Sequence, residues 1–189
     1  MATIQYLESA KRQFQLYKQL GEKAMAQANE KELFWSANAD SNSIATIVKH
    51  MGGNMLSRWT DFLTTDGEKS WRQRDAEFEN DWTTRDELLA KWEEGWKCLF
   101  NALDSITDDD LEKIIYIRNE GHTVLEAINR QIAHYSYHVG QIVFVVKMLR
   151  SDEWNSLTIP RNKSKDYNAD KFSKEKERKH FTDDLLDKK

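Results

Sequence analysis

Two histidines four residues apart form the clearest candidate site in this sequence. His134 and His138 have the i, i+4 spacing that places two side chains on one helical face, with Cβ atoms about 6 Å apart, so both imidazoles can reach one metal ion. His50 lies in a second apolar segment, beside Ile47 and Met51, where burying an unpaired histidine is costly. Coordination of one ion would satisfy all three imidazoles. The sequence therefore predicts a divalent-metal site formed by His50, His134 and His138.

Spacing alone leaves a second interpretation open, in which each histidine donates to a backbone carbonyl or a carboxylate and simply fills the core. Two further histidines bear on the choice. His122 follows a glycine just before a predicted helix start, and could replace one ligand or contact a substrate. His180 lies in a highly charged segment, so we expect it to face solvent. No residue is identified as catalytic.

Several common functions lack their sequence signatures. Position 135 is Tyr rather than Glu, so the HExxH pattern of metalloproteases is missing, and no P-loop, GxGxxG or GxSxG pattern occurs. The net charge of −4 gives no reason to expect a nucleic-acid partner. No secretory signal and no apolar run of about 18 residues occurs, so we expect no membrane partner and a cytoplasmic location. The single cysteine, Cys98, fits a reducing compartment and an ordinary buried position.

The elements that must position the histidines are predicted to be helices. A single proline and seven glycines among 189 residues favour long helices, and we expect one all-α domain over residues 1–155 with a charged, partly ordered or peripheral tail over 156–189. Apolar periodicity and capping residues predict four long helices, at about residues 3–28, 41–63, 84–106 and 123–149.

Two connections between these helices are also informative. Residues 64–84 read as a long ordered loop anchored by Trp71, Phe78 and Trp82, and residues 113–118 read as a short strand or extended connection. Gly52 and Gly53 interrupt the second helix. Each costs about 1 kcal/mol relative to alanine at an exposed helical site, so we expect another helix or a ligand to approach closely there.

Two segments of the chain resemble a known group. The stretches SIATIVKHMGGNMLSRWTDFLTTDGEKSWR and EGHTVLEAINRQIAHYSYHVGQIVFVVK are similar to the DinB-like superfamily of four-helix-bundle proteins, in particular its Bacillus-type branch of uncharacterised proteins. The resemblance covers roughly residues 1–155. In that superfamily one histidine of the second helix and an HxxxH pair of the last long helix commonly bind zinc or nickel, and His50, His134 and His138 match those positions.

The resemblance implies a reaction as well as a fold. Relatives include S-transferases that use bacillithiol or similar small thiols, and the mycothiol-dependent maleylpyruvate isomerase. A three-histidine divalent site with an open position can bind a thiol, lower its pKa and present a thiolate, or activate water. The predicted function is thus a metal-dependent transferase using a low-molecular-weight thiol. A non-catalytic metal-stabilised binding module in a stress response and a metal-dependent hydrolase are the alternatives.

Polar residues one and two turns from the histidines are candidates for binding a substrate. Asn54 and Arg58 follow His50, and Gln131 and Tyr135 lie near His134. Arg58 could bind a substrate carboxylate, or it could pair with a nearby acid, for which the candidates are Asp61, Glu68 and Glu77. The apolar last helix, the Trp-rich third helix and the habit of the superfamily together predict a homodimer.

Overall fold

The computed structural model describes residues 6–79 and 81–186. Within these residues the chain is mostly helical, as predicted. Four long helices have the bounds α1 Tyr6–Met25, α3 Ile44–Trp59, α4 Arg85–Asp104 and α5 Val124–Arg150. The shorter helices are α2 Glu30–Leu33, α6 Ser164–Phe172 and α7 Asp183–Leu186, and two strands, β1 Ile114–Ile117 and β2 Glu120–Thr123, pair antiparallel.

Capping side chains begin three of the long helices where the sequence places them. Ser43, Thr84 and Thr123 each accept a hydrogen bond from the backbone amide three residues later, which satisfies an amide that has no partner inside the helix. In α4 and α5 a glutamate in the first turn, Glu87 or Glu126, returns a bond to the backbone of the cap residue. The predicted starts of the third and last long helices are therefore confirmed, whereas the second begins at Ile44, three residues later than predicted.

The four long helices share one core, and its aromatic residues lie directly beside the histidines. Phe14 of α1 contacts Trp59 and Trp96 edge-on, with ring centroids 6.5 and 6.4 Å apart. Tyr135 of α5 is fully buried; its hydroxyl accepts from Trp59 Nε1 at 3.2 Å and donates to Asn54 at 3.0 Å. Packing around Tyr135 thus fixes α5 against α3 one residue from His134.

Close approach explains the glycine pair of α3. A Cβ added at Gly52 would lie 2.8 Å from Lys91 Cγ and 3.1 Å from the Lys91 carbonyl oxygen, so α4 packs almost directly on the α3 backbone. A Cβ added at Gly53 would overlap the carboxylate of Glu77, with Glu77 Cδ only 2.7 Å away. Gly52 therefore has the close helix that the sequence predicted, whereas the neighbour of Gly53 is an acidic side chain of the long loop.

Several predicted boundaries are wrong. The second long helix ends at Trp59, four residues early, because the chain turns through a positive φ at Asp61. The first ends at Met25, and residue 3 lies outside the described residues. Residues 113–118 do contain β1, but the partner strand β2 was not predicted; the turn between them has positive φ at Arg118 and Asn119, as in a type I′ hairpin.

The long loop is ordered, and two of its three predicted aromatic anchors are partly buried. Trp71 is 53% exposed and does not anchor it, whereas Phe78 and Trp82 are half-buried. Residues Asp75–Phe78 form a 3₁₀ helix, and its buried side chain is the acidic Glu77. This loop carries a charged group into the protein instead of apolar groups alone.

The charged C-terminal segment folds back on α1. The prediction that His180 faces solvent is wrong: this residue is half-buried, and its Nε2 lies 2.9 Å from Ser9 Oγ. Thr182 is fully buried, and Asp183 pairs with Arg12. None of the helices in the described part of the chain combines the length and apolar character that crossing a bilayer requires.

Candidate metal centre

Three imidazoles from two helices converge on one point. His134 Nε2 lies 3.1 Å from His138 Nε2 and 3.4 Å from His50 Nε2, and one nitrogen from each ring lies within 4.8 Å of the other two. Two nitrogens bound at about 2.0–2.1 Å to one tetrahedral zinc ion are about 3.3–3.4 Å apart. The three predicted residues are therefore brought together at a spacing at which a metal ion could bind.

The opposite nitrogens of two rings are held by oxygen atoms. His50 Nδ1 is 2.9 Å from Glu77 Oε2, and His138 Nδ1 is 2.8 Å from Gln141 Oε1. A carboxylate and an amide oxygen can only accept, so both Nδ1 atoms carry the proton. Each Nε2 consequently presents a lone pair toward the centre of the cluster.

This arrangement leaves the cluster short of protons. If His134 Nε2 carries a proton, it can donate that proton to His50 Nε2 or to His138 Nε2, but not to both. The lone pair of the other Nε2 atom then faces His134 Nε2 with no hydrogen bond between them. Histidine ligands of metals usually donate their second nitrogen to a carboxylate or carbonyl oxygen, as His50 and His138 do here. One divalent cation would satisfy all three lone pairs, so the residues present fit a metal ion.

Burial and nearby positive charge favour the neutral form of His134 and His138. Burial, followed by the neighbouring histidines and by Arg58 and Arg72, lowers the pKa of His134 to about 3. Burial also lowers the pKa of His138, with a smaller contribution from His50. Neutral imidazole is the form that binds metals, so the lowered pKa values of His134 and His138 favour metal binding at neutral pH.

Glu77 joins the histidine cluster to the loop. Its carboxylate accepts two bonds from Arg72, from Nε at 2.7 Å and from Nη2 at 2.8 Å, in addition to the contact with His50. Burial would raise the pKa of Glu77, but the bonds from Arg72 and His50 bring it below its usual value. Phe78 covers the His50 ring at a centroid distance of 4.9 Å. The absence of a side chain at Gly53 makes room for this carboxylate.

A cavity of about 220 Å³ opens beside His50 and His134. Asn54 and Gln131 line it, so both lie where the sequence predicted. Arg58 also lines it, but its Nη1 donates to the Gly67 carbonyl, and Nη1 and Nη2 both lie 3.1 Å from Glu68.

Among the acids predicted as partners of Arg58, the structure therefore selects Glu68. Glu77 pairs instead with His50 and Arg72, and Asp61 makes no ion pair with Arg58. Arg58 thus fixes the loop through most of its donors, and its Nε is left buried without a partner.

Sequence reasoning missed Gln141 and Arg72, and it considered Glu77 only as a partner of Arg58. Gln141 follows His138 by three residues, a spacing that places both on one helical face and could have been noticed. Arg72 and Glu77 come from an irregular loop, where no periodicity relates position to direction. His122 lies outside the cluster, with its Nε2 3.4 Å from Arg130.

Comparison with known proteins assigns the chain to a family. No curated protein and no solved structure matches it at a significant level. Residues 2–163 match the sequence profile of a family described as "Protein of unknown function (DUF1572)". Because this match covers most of the 189 residues, the chain belongs to that family.

Proposed function

We propose that the chain binds one divalent metal ion through His50, His134 and His138, with zinc or nickel as the ion. The observation that carries this proposal is the convergence of three Nε2 atoms, two of whose rings already donate Nδ1 to oxygen. Three imidazoles leave at least one coordination position for another molecule. Copper and iron also accept imidazole ligands, so the donor set by itself does not select the ion.

The reaction we propose at this centre is transfer of a low-molecular-weight thiol to an electrophile. A divalent ion lowers the pKa of a thiol or water molecule bound to it. In the reaction the thiol loses its proton to solvent, its sulfur forms a bond to an electrophilic carbon, and the electron pair of the broken bond leaves with the displaced group. The resemblance to DinB-like S-transferases supports this choice.

The position of the chain's cysteine favours an external thiol. Cys98 contacts Thr60 Oγ1 at 3.6 Å and lines a different cavity, between α3 and α4. Burial also raises the pKa of its thiol, which makes it a poor nucleophile at neutral pH. A thiol reacting at the histidines therefore has to arrive as a small molecule.

Metal-dependent hydrolysis is the weaker enzymatic alternative. It commonly needs a carboxylate or histidine free to accept a proton from water. Among the described residues, the carboxylate nearest the cluster is Glu77, and both of its oxygens are engaged by Arg72, one of them also by His50. A purely structural metal is the other alternative, favoured by the way the cluster joins α3 to α5.

An assay with a chromogenic or fluorogenic electrophile tests the proposed reaction. Metal-loaded protein is mixed with bacillithiol or cysteine and monochlorobimane, and we expect conjugation above the uncatalysed rate. His134→Ala should remove this activity, whereas Cys98→Ser should retain it because that residue lines another cavity. The absence of metal-dependent conjugation across a broad panel of thiols would favour the non-catalytic binding module.

We further propose that the four long helices form a DinB-like four-helix bundle and that two copies associate through α5. Tyr137, Phe144 and Met148 are 64%, 66% and 48% exposed, and their spacing places them along one face of that helix. Trp92 and Trp96 of α4 are fully buried and cannot contribute to such a contact. A stable monomer in light scattering would contradict the dimer.

A further inference from the structure

The cavity beside the histidines is unusually rich in arginine. Five of its lining residues are arginines: Arg58, Arg72, Arg74, Arg118 and Arg130. Among the described residues, no carboxylate lines this cavity. They come from α3, from the long loop, from the hairpin turn and from α5, so no single helical face accounts for the cluster. Bringing five like charges to one small cavity is unfavourable unless something negative offsets them.

Internal carboxylates offset only part of this charge. Glu68 lies within 3.5 Å of Arg58, Arg72 and Arg118, and Glu77 accepts two bonds from Arg72. Glu68 and Glu77 thus offset two of the five guanidinium charges, and a third carboxylate, Asp75, lies beside Arg74 but is fully exposed, so water screens most of its charge.

The two remaining arginines, Arg74 and Arg130, are both exposed, and neither is hydrogen-bonded to a carboxylate among the described residues. Arg74 is 51% exposed in its side chain; it lies over the Phe78 ring and 3.9 Å from the fully exposed Asp75. Arg130 is exposed, and its Nη1 lies 3.4 Å from His122 Nε2. Both guanidinium groups are therefore available to a molecule in the cavity.

Polar atoms deeper in the cavity are also without partners. Arg58 Nε and Gln131 Oε1 are buried and make no hydrogen bond, although these residues are only 7% and 3% exposed. Buried polar atoms normally have a partner, and leaving one unpaired costs about 1–3 kcal/mol. Asn54 uses its amide oxygen for Tyr135, which leaves its NH₂ group for the cavity that it lines. A bound molecule with oxygen atoms would satisfy the two donors, Arg58 Nε and the Asn54 NH₂ group.

We propose that this cavity binds a small anion, a carboxylate or phosphate group of the substrate, with Arg74 and Arg130 contacting it at the mouth. The role of that anion as a substrate rests on the reaction proposed above, whereas its binding does not. A volume of about 220 Å³ is below the usual range for drug-sized ligands, so the anionic part is a group of a few heavy atoms. Charge-assisted bonds from arginine are the interaction that suits such oxyanions best.

Calorimetric titration of the zinc-loaded protein at constant ionic strength tests the proposal. The probes are malonate, inorganic phosphate and malonamide, an uncharged analogue of malonate. We expect malonate or phosphate to bind and malonamide not to bind. Preference for malonate would indicate a carboxylic acid, and preference for phosphate would indicate a phosphorylated compound.

Single-charge variants identify the residues responsible. Arg74→Gln and Arg130→Gln should each weaken anion binding about five- to tenfold, since each removes one charged hydrogen-bond donor. Lys147→Gln is the matched control, because it removes one exposed positive charge from α5, 17 residues and about 25 Å beyond Arg130. Its affinity for the anion should equal that of the wild type.

Metal content measured in the same samples separates this inference from the proposed function. Phosphate can bind zinc directly, so the titrations are repeated on protein stripped of metal, where the dependence on Arg74 and Arg130 should persist. Anion binding that depends on these arginines without bound metal or thiol transfer would support the inference alone. Equal anion affinity in all variants, or equal binding of malonamide and malonate, would overturn it.

Discussion

Glu77→Gln tests the connection between the loop and the histidine cluster. Glu77 accepts from His50 Nδ1 and from two nitrogens of Arg72, and its side chain is only 8% exposed. Glutamine has nearly the same shape but keeps one acceptor oxygen and adds an NH₂ group. That NH₂ group must face either His50 or Arg72, both of which are donors. The variant therefore loses at least one contact without leaving a cavity.

The structure permits an estimate of both consequences. Partners that orient a metal-binding histidine contribute about 10–100-fold in metal affinity, which corresponds to about 1.4–2.8 kcal/mol. The side chain of Arg72 is 2% exposed, and its remaining carboxylate contact is Glu68 at 3.5 Å. Breaking a buried ion pair costs about 3–5 kcal/mol, and less when the replacement still accepts one bond. We therefore expect Glu77→Gln to lower the free energy of unfolding by about 2–3 kcal/mol. For a chain of this size that lowers Tm by about 4–12 °C.

Zinc affinity is measured by competition with a chromophoric chelator, and stability by thermal unfolding of the metal-free protein. Glu68→Gln is the control, because it removes a carboxylate that contacts Arg58, Arg72 and Arg118 but not His50. It should lower Tm while zinc affinity stays within about threefold of the wild type. Equal zinc affinity in Glu77→Gln and the wild type would refute the role assigned to this carboxylate.

Three further predictions follow from the same geometry. Gly53→Ala should displace the Glu77 carboxylate and weaken zinc binding about tenfold, and unchanged affinity by chelator competition would contradict this. The folded-state pKa of His134 is lowered to about 3, so its contribution to stability is complete above pH 6.5 and is lost as pH falls toward 3. Urea unfolding of the metal-free protein should therefore give a free energy of unfolding about 1–2 kcal/mol lower at pH 5 than at pH 7. His134→Gln should lack this loss. Tyr135→Phe leaves the buried Trp59 Nε1 without an acceptor and should cost about 1–3 kcal/mol in thermal unfolding, with metal content unchanged.

Helix positions and the pairing of His134 with His138 were predictable because both depend on local periodicity. The i, i+4 spacing of His134 and His138 and the capping residues Thr84 and Thr123 act within one helix, so the sequence contains the needed geometry. His50 required one additional inference, that two apolar helices face each other. Its position beside His134 confirms that inference.

The charged residues around the histidines were not predictable, because their positions do not depend on local periodicity. Whether Arg72 and Glu77 point inward depends on the path of an irregular loop, which the glycine at position 53 and the hairpin turn at Arg118 shape together. Trp71 shows the same limit, since an aromatic residue in such a loop was expected to anchor it and is exposed. The sequence of a polar loop predicts exposed side chains, and only its conformation shows which of them are buried.

Elemental analysis tests the central claim most directly. Protein purified without an affinity tag should contain close to one zinc or nickel ion per chain. His134→Ala should contain almost none, whereas His122→Ala should retain it because His122 lies outside the cluster. A wild-type protein that takes up no divalent metal, or a His134→Ala variant with unchanged metal content, would contradict the account.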